Sequence, residues 1–188
     1  LPGPRVFSAG YFVAAEESRW SNTLMVSEAA DAEAVVQRIA DEGHSFIKAY
    51  EGLTTEMIAA IVSAAESRGM GVLGHVPFDL TLEEAMLPDV QHLLGVVRPE
   101  NISADTIMAR MSEWETVDEA RMDKVVAFCV ENDIVNTPTL VVNQRVLSYR
   151  HYESIADDPA VRLLPPFFPG GVWSPTEGIP MYRGIGEA

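Results

Sequence analysis

The chain is poor in several residue types, and each shortage narrows what it can be. It has one cysteine, Cys129, so no disulfide can close within it, and cysteine usage leaves the redox compartment open. Cys129 lies in the helical pattern V-V-A-F-C-V and reads as a small buried hydrophobe. No run approaches the ~18 apolar residues of a membrane span. Basic residues are scarce, 13 against 28 acidic ones, for a net charge of −15 and a pI near 4.5. Such a surface repels nucleic acid and anionic membranes, so neither is an expected partner. Lysine is scarcer still: Lys48 and Lys124 are the only two.

What is present is a core and a rhythm. Hydrophobic residues make up 47% of the 188, ample for a packed interior. Short apolar runs alternate with helical patterns, which predicts βαβ units and a parallel sheet. Val6-Phe7 reads as a first strand, and Tyr11 to Asn22 as a loop whose Tyr11, Phe12 and Trp20 are able to line a pocket. A helix follows, capped by Ser27, with Ala29, Ala32, Val36 and Ile39 on one face and Gly43 after its end. Phe46–Ala49, Gly71–His75, Asp89–His92 and Ile134–Val142 read as further strands. Helices are predicted from Thr54 or Thr55 to Gly69 (buried stripe Met57, Ile58, Ile61, Val62, Ala65), from the capping box at Thr81, from Ser103 to about Met111, and from a second capping box at Thr116 to about Glu131. The last of these has its apolar side at Val117, Met122, Val125 and Cys129.

Three of the runs deliver one polar side chain each at or near their ends: Lys48, His75 and His92. Parallel strands point the same way, so these residues are expected on one rim, where α/β barrels place their chemistry. Two imidazoles there suggest a metal site. An ammonium has no lone pair to offer a metal. Its deprotonated amine, however, reacts with carbon dioxide to give an anionic carbamate with two oxygens, able to bridge two ions. One of only two lysines at the end of a buried strand is unusual for a surface-seeking residue. Tyr50 comes two residues after Lys48 and shares its side of the strand. Its phenol is placed to hydrogen-bond a substrate carboxylate or a tetrahedral intermediate. Glu51 reads as solvated, and His44 as a solvated turn residue at the opposite end from Lys48. Thr137, Thr139 and His151 read as secondary pocket candidates.

The runs F-I-K-A-Y-E-G-L-T, G-V-L-G-H-V-P, V-Q-H-L and T-P-T-L, spread over roughly residues 3–143, resemble the amidohydrolase superfamily, in particular its imidazolonepropionase-like and prolidase-like branch. The resemblance implies a (β/α)8 TIM barrel and hydrolysis of an amide or related C–N bond, as in a dipeptide, an N-acyl amino acid or a cyclic amide, through a metal-activated hydroxide. It implies zinc or another divalent metal, binuclear in the complete enzyme. Lys48 would be the carboxylated bridging ligand, His75 and His92 would bind the second ion, and Tyr50 would lie near the substrate. Gln91 departs from the glutamate common before the last histidine, and the departure is expected to matter little. The family's His-x-His pair and its catalytic aspartate on the last strand are not found in this sequence, which therefore reads as the middle βα units of a barrel. The expected division is residues 1–147, a partial hydrolase barrel, and 148–188, a Pro/Gly-rich loop over the active-site face with the start of the next unit. The expected partner is a small-molecule substrate, with self-association through exposed barrel edges. Two other readings stay open: a catalytically incomplete amidohydrolase-like fragment with a structural or oligomerisation role, and an unrelated βαβ small-molecule-binding domain.

Overall fold

Six short strands form one sheet in the order β2-β1-β3-β4-β5-β6, and every neighbouring pair is parallel. The computed structural model describes residues 3–18, 20–97, 113–141, 159 and 163. The chain forms two compact units, Leu1–Pro138 and Thr139–Ala188, and the strands among the described residues lie in the first. The strands are β1 (Phe12–Ala14), β2 (Thr23–Met25), β3 (Phe46–Ala49), β4 (Gly71–Gly74), β5 (Asp89–Gln91) and β6 (Val135–Thr137). Helices α1 (Ala32–Asp41), α2 (Thr55–Glu66), α3 (Leu82–Ala85) and α4 (Glu119–Glu131) fall between successive strands from β2 onward. This is the α/β alternation of a barrel of parallel strands, present in part.

Residue chemistry accounts for the helix starts. Thr54 Oγ1 accepts from the Met57 N–H at 3.3 Å, and Asp118 from the Arg121 N–H at 2.6 Å. Thr81 and Glu84 cap each other reciprocally at α3. Two caps differ from expectation. Ser27 does not cap α1: it donates its N–H to Asp31, which closes a single 3-10 turn over Ala29–Asp31. The α4 cap is Asp118, because Thr116 is taken up in a preceding 3-10 turn, Glu113–Thr116.

Alternate strand residues Val13, Ile47, Ala49, Val72 and Val90 are buried and join Val36 and Ile39 of α1 and Ile58, Ile61 and Ala65 of α2 in one apolar cluster. Met57 and Val62 pack against it partly exposed, as do Val117 and Met122 beside buried Val125 and Cys129. Gly74 permits the close β3–β4 approach: a Cβ there would stand 2.2 Å from the Ala49 carbonyl oxygen. Arg121 clasps the far end of the sheet. Its guanidinium pairs with Glu83 and donates to the Val96 carbonyl at 3.0 Å, tying α4 to α3 and to the turn after β5.

Three strand expectations are corrected. Val6 and Phe7 are exposed and outside the sheet, and the first strand is Phe12–Ala14, within the segment read as a loop. Thr23–Met25 is a strand that the sequence reading passed over. Both pieces have three residues, too short for alternation to separate them from a loop. The last strand ends at Thr137 instead of Val142. Pro138 has no N–H for a ladder, Thr139 takes a φ of +49°, and Leu140 and Val141 are helical. The helix expected at Ser103–Met111, the 148–188 loop apart from Pro159 and Leu163, and His151 lie outside the described residues. Among the described residues no helix is long and apolar enough to cross a membrane.

Candidate functional site

Register builds the site. Phe12 pairs with Lys48, Lys48 with Leu73, Leu73 with Asp89, and Asp89 with Val135, so these five lie level across the sheet. Side chains alternate along a strand, so the next residues to share that face are two positions on. They are Tyr50, His75, Gln91 and Thr137. One face at the carboxyl ends of four adjacent strands thus carries a phenol, an imidazole, an amide and a hydroxyl, with Lys48 one step below.

Lys48 donates from Nζ to Gln91 Oε1, across the intervening strand β4. Burial pushes its pKa down from 10.5 to about 8, against the opposing pull of Glu51 and Asp89. Asp89 is held from the next strand by Thr137, whose Oγ1 lies 2.9 Å from each carboxylate oxygen. Gln91 is therefore more than a silent neighbour of His92: it is the side chain that Lys48 meets.

His75 is buried, and its Nδ1 stands 2.9 Å from Glu51 Oε1. A carboxylate accepts, so Nδ1 carries a proton; when the ring is neutral, its lone pair is then at Nε2. Glu51, expected in solvent, is instead largely enclosed, its side chain 13% exposed against this imidazole. The turn that starts with Glu51 places it there, and Gly52 at φ +75° completes that turn. No parity rule extends past a strand end into a turn, so sequence alone held no signal for the pair.

His92 stands edge-on to His75, ring centroids 4.9 Å apart and planes at 83°. Burial lowers its pKa from 6.5 to about 4, with His75 and Lys48 adding to the shift, so its ring is neutral at neutral pH. Its backbone is strained: His92 and Leu93 both take left-handed φ values, +61° and +57°. The His92 N–H donates to the Thr137 carbonyl at 3.0 Å, which fixes that turn against β6. Strain in two successive non-glycine residues at a strand end is the kind that functional sites retain.

Tyr50 packs on His75 with centroids 4.6 Å apart, and Lys48 Nζ lies 6.0 Å from the Tyr50 ring centroid. Phe12 meets Tyr50 at 4.8 Å and stacks on Trp20 at 5.5 Å, with planes 12° apart. Trp20 Nε1 donates to the Tyr50 hydroxyl at 3.2 Å. The four residues singled out in the sequence, Lys48, Tyr50, His75 and His92, are thus brought together. His44 is not: it precedes β3, half-buried rather than solvated, with Nδ1 3.0 Å from Ser8 Oγ. Among the described residues no three His, Cys, Asp or Glu side chains gather into a metal-binding group; the two imidazoles stand together with Lys48, whose ammonium has no lone pair for a metal.

Two solved structures share this arrangement of strands and helices. Bottromycin amidohydrolase matches with a TM-score of 0.56 at 22% identity, over 92% of this chain and 37% of its own. Ochratoxinase from A. niger matches with a TM-score of 0.50 at 16% identity, over 82% of this chain and 40% of its own. The chain has the fold of part of an amidohydrolase barrel. It spans well under half the length of the amidohydrolase structures it resembles. No protein-family model and no curated protein sequence matches it. Within the amidohydrolase-type sheet, β3, β4 and β5 carry Lys48, His75 and His92 at or just past their carboxyl ends, the end at which barrels of this kind hold their chemistry.

Proposed function

We propose that this chain is the part of a metal-dependent amidohydrolase that supplies a lysine and two histidines to a divalent metal centre, and that the enzyme hydrolyses an amide or related C–N bond in a small molecule such as a dipeptide, an N-acyl amino acid or a cyclic amide. The observation that carries this reading is the edge-to-face meeting of His75 and His92 on the face that also holds Lys48 and Tyr50.

The donor chemistry fits a divalent ion such as zinc. His92 keeps its lone pair at neutral pH, and Glu51 holds His75 in the tautomer with its lone pair on Nε2. Lys48 fits as a carbamate. An amine with a pKa of about 8 is partly neutral near that pH. Its nitrogen then bonds to the carbon of dissolved carbon dioxide, loses one proton to solvent, and gains an anionic two-oxygen head. Gln91, whose amide oxygen accepts from the amine, would turn its amide nitrogen to donate to that head. Bound at these residues, a divalent metal supplies Lewis acidity that polarises the amide carbonyl and activates water.

The protein's own groups do the remaining work. Tyr50 receives the Trp20 N–H on its oxygen, so its own O–H proton is directed elsewhere and is suited to the oxyanion that develops at the amide carbon. Glu51 and Thr137 hold His75 and Asp89 in place from behind. Release of amine from a panel of dipeptides and N-acyl amino acids by the complete enzyme that contains this chain tests the reading. Hydrolysis should require added zinc and should fall by roughly a hundredfold or more in His92→Ala. Hydrolysis that ignores zinc and survives His92→Ala would remove the reading.

A further inference from the structure

Backbone strain is concentrated just past β5, in the turn that carries His92. His92, Leu93 and Gly95 take φ values of +61°, +57° and +78°. Two of these left-handed residues are not glycine, and such a turn persists only where its surroundings hold it. Packing supplies part of the hold: Leu94, Val96 and Val97 are buried, and a Cβ on Gly95 would stand 2.8 Å from Val76 Cγ1. Hydrogen bonds from the next βα unit grip both ends. At one end the His92 N–H donates to the Thr137 carbonyl of β6. At the other, Arg121 of α4 donates from Nε to the Val96 carbonyl at 3.0 Å and from Nη2 to the Gly95 carbonyl at 3.4 Å. Glu83 of α3 takes the remaining side of the guanidinium, its Oε2 3.1 Å from Nη2. The Asp118 cap fixes Arg121 in the first turn of α4.

We infer that Arg121 is a positioning residue for His92: its fork on Gly95 and Val96 holds the left-handed turn that brings the His92 imidazole edge-on to His75. This deepens the amidohydrolase reading, on which it rests for the use to which His92 is put. A planar guanidinium serves two carbonyls and a carboxylate at once, whereas lysine carries its charge on a single nitrogen. Val96 is 2% exposed, so removing the guanidinium leaves its carbonyl without a partner and without water to replace one. The turn is then free to relax its left-handed residues, and His92 leaves His75. Arg68 provides an internal comparison. It too pairs with a carboxylate, Glu33, but its other partners, Gln37, Ala64 and Ser67, lie in or beside α1 and α2, and none belongs to the His92 turn.

The test compares Arg121→Gln with Arg68→Gln in the complete protein that contains this chain. Deuterium uptake by peptides covering residues 91–97, measured by mass spectrometry without metal, reads the turn. Cobalt, a visible stand-in for zinc, reads the site through its affinity and its d–d absorption bands. Arg121→Gln should exchange the turn roughly tenfold faster, bind cobalt roughly tenfold more weakly and change its bands. Arg68→Gln should stay within about twofold of the parent in both. Arg121→Lys should recover only part of each loss, and Glu83→Gln should show the same losses in smaller measure. If Arg121→Gln does not fold, Glu83→Gln decides in its place. A turn as protected in the deciding variant as in the parent, or loosened equally in Arg68→Gln, overturns the inference. Exchange needs no metal, so the two readings fail separately. A turn loosened by loss of the clasp, in a protein whose parent binds no cobalt, supports the clasp and removes the metal centre. Cobalt bound alike by the parent and Arg121→Gln removes the clasp and keeps the metal centre.

Discussion

At the scale of single residues, burial moves the proton equilibria of two site groups, His92 and Lys48, toward their neutral forms. His92 has a pKa of about 4 in the folded chain against 6.5 for the free side chain. Between those values the unfolded chain binds the proton more often than the folded one, so raising the pH through that window stabilises the fold. Below about 4 both states carry the charge, and its whole cost remains in the folded state. Urea midpoints measured across this range should rise with pH, and the part due to His92 should vanish in His92→Gln; a parent profile that slopes the same way as the variant would count against a desolvated His92. Lys48 carries a chemical prediction. With isotope-labelled bicarbonate at about pH 8, carbon NMR should show a protein carbamate that is missing in Lys48→Arg, whose guanidinium stays protonated. That Lys48, Tyr50 and His75 share one face was legible because strand parity and parallel order follow from apolar runs, whereas His92 joins them through a left-handed turn after Gln91. Glu51 and Gln91 were not recognised as partners. Glu51 lies past the strand, where a turn decides direction, and Gln91 reaches Lys48 across a strand that lies between them.

At the scale of elements, β3 and β4 set the site by their closeness. Ala49 pairs with Gly74, and a methyl on Gly74 would collide with the Ala49 carbonyl oxygen at 2.2 Å and its Cβ at 3.0 Å. Gly74→Ala should therefore cost about 1–3 kcal/mol in urea unfolding and shift the NMR signals of His75, the next residue; a variant as stable as the parent would show that the sheet yields there. Elements of ten residues or more, α1, α2 and α4, were readable from their periodicity. The three-residue strands β1 and β2 were misplaced or missed, because so short a piece is defined by its neighbours in the ladder rather than by its own pattern. The C-terminal bound of β6 was missed for a different reason: T-P-T-L looks extended, but Pro138 ends the pairing.

At the scale of the molecule, the six parallel strands of the described residues run from β2 to β6, and one face of their sheet gathers lysine, histidines and aromatics. The resemblance to amidohydrolase structures is one of fold, and it covers only part of those proteins. Metal binding is thus the claim on which the functional account turns. A net charge of −15 draws divalent cations to the whole surface, so metal content alone is a blunt measure. Position is sharper. Anomalous X-ray scattering at the zinc edge, from crystals grown with zinc and bicarbonate, should show a peak about 2 Å from the His75 and His92 nitrogens, with added density on Lys48. A zinc peak only at remote groups such as His44, with the His75–His92 face empty and Lys48 unmodified, would contradict the account.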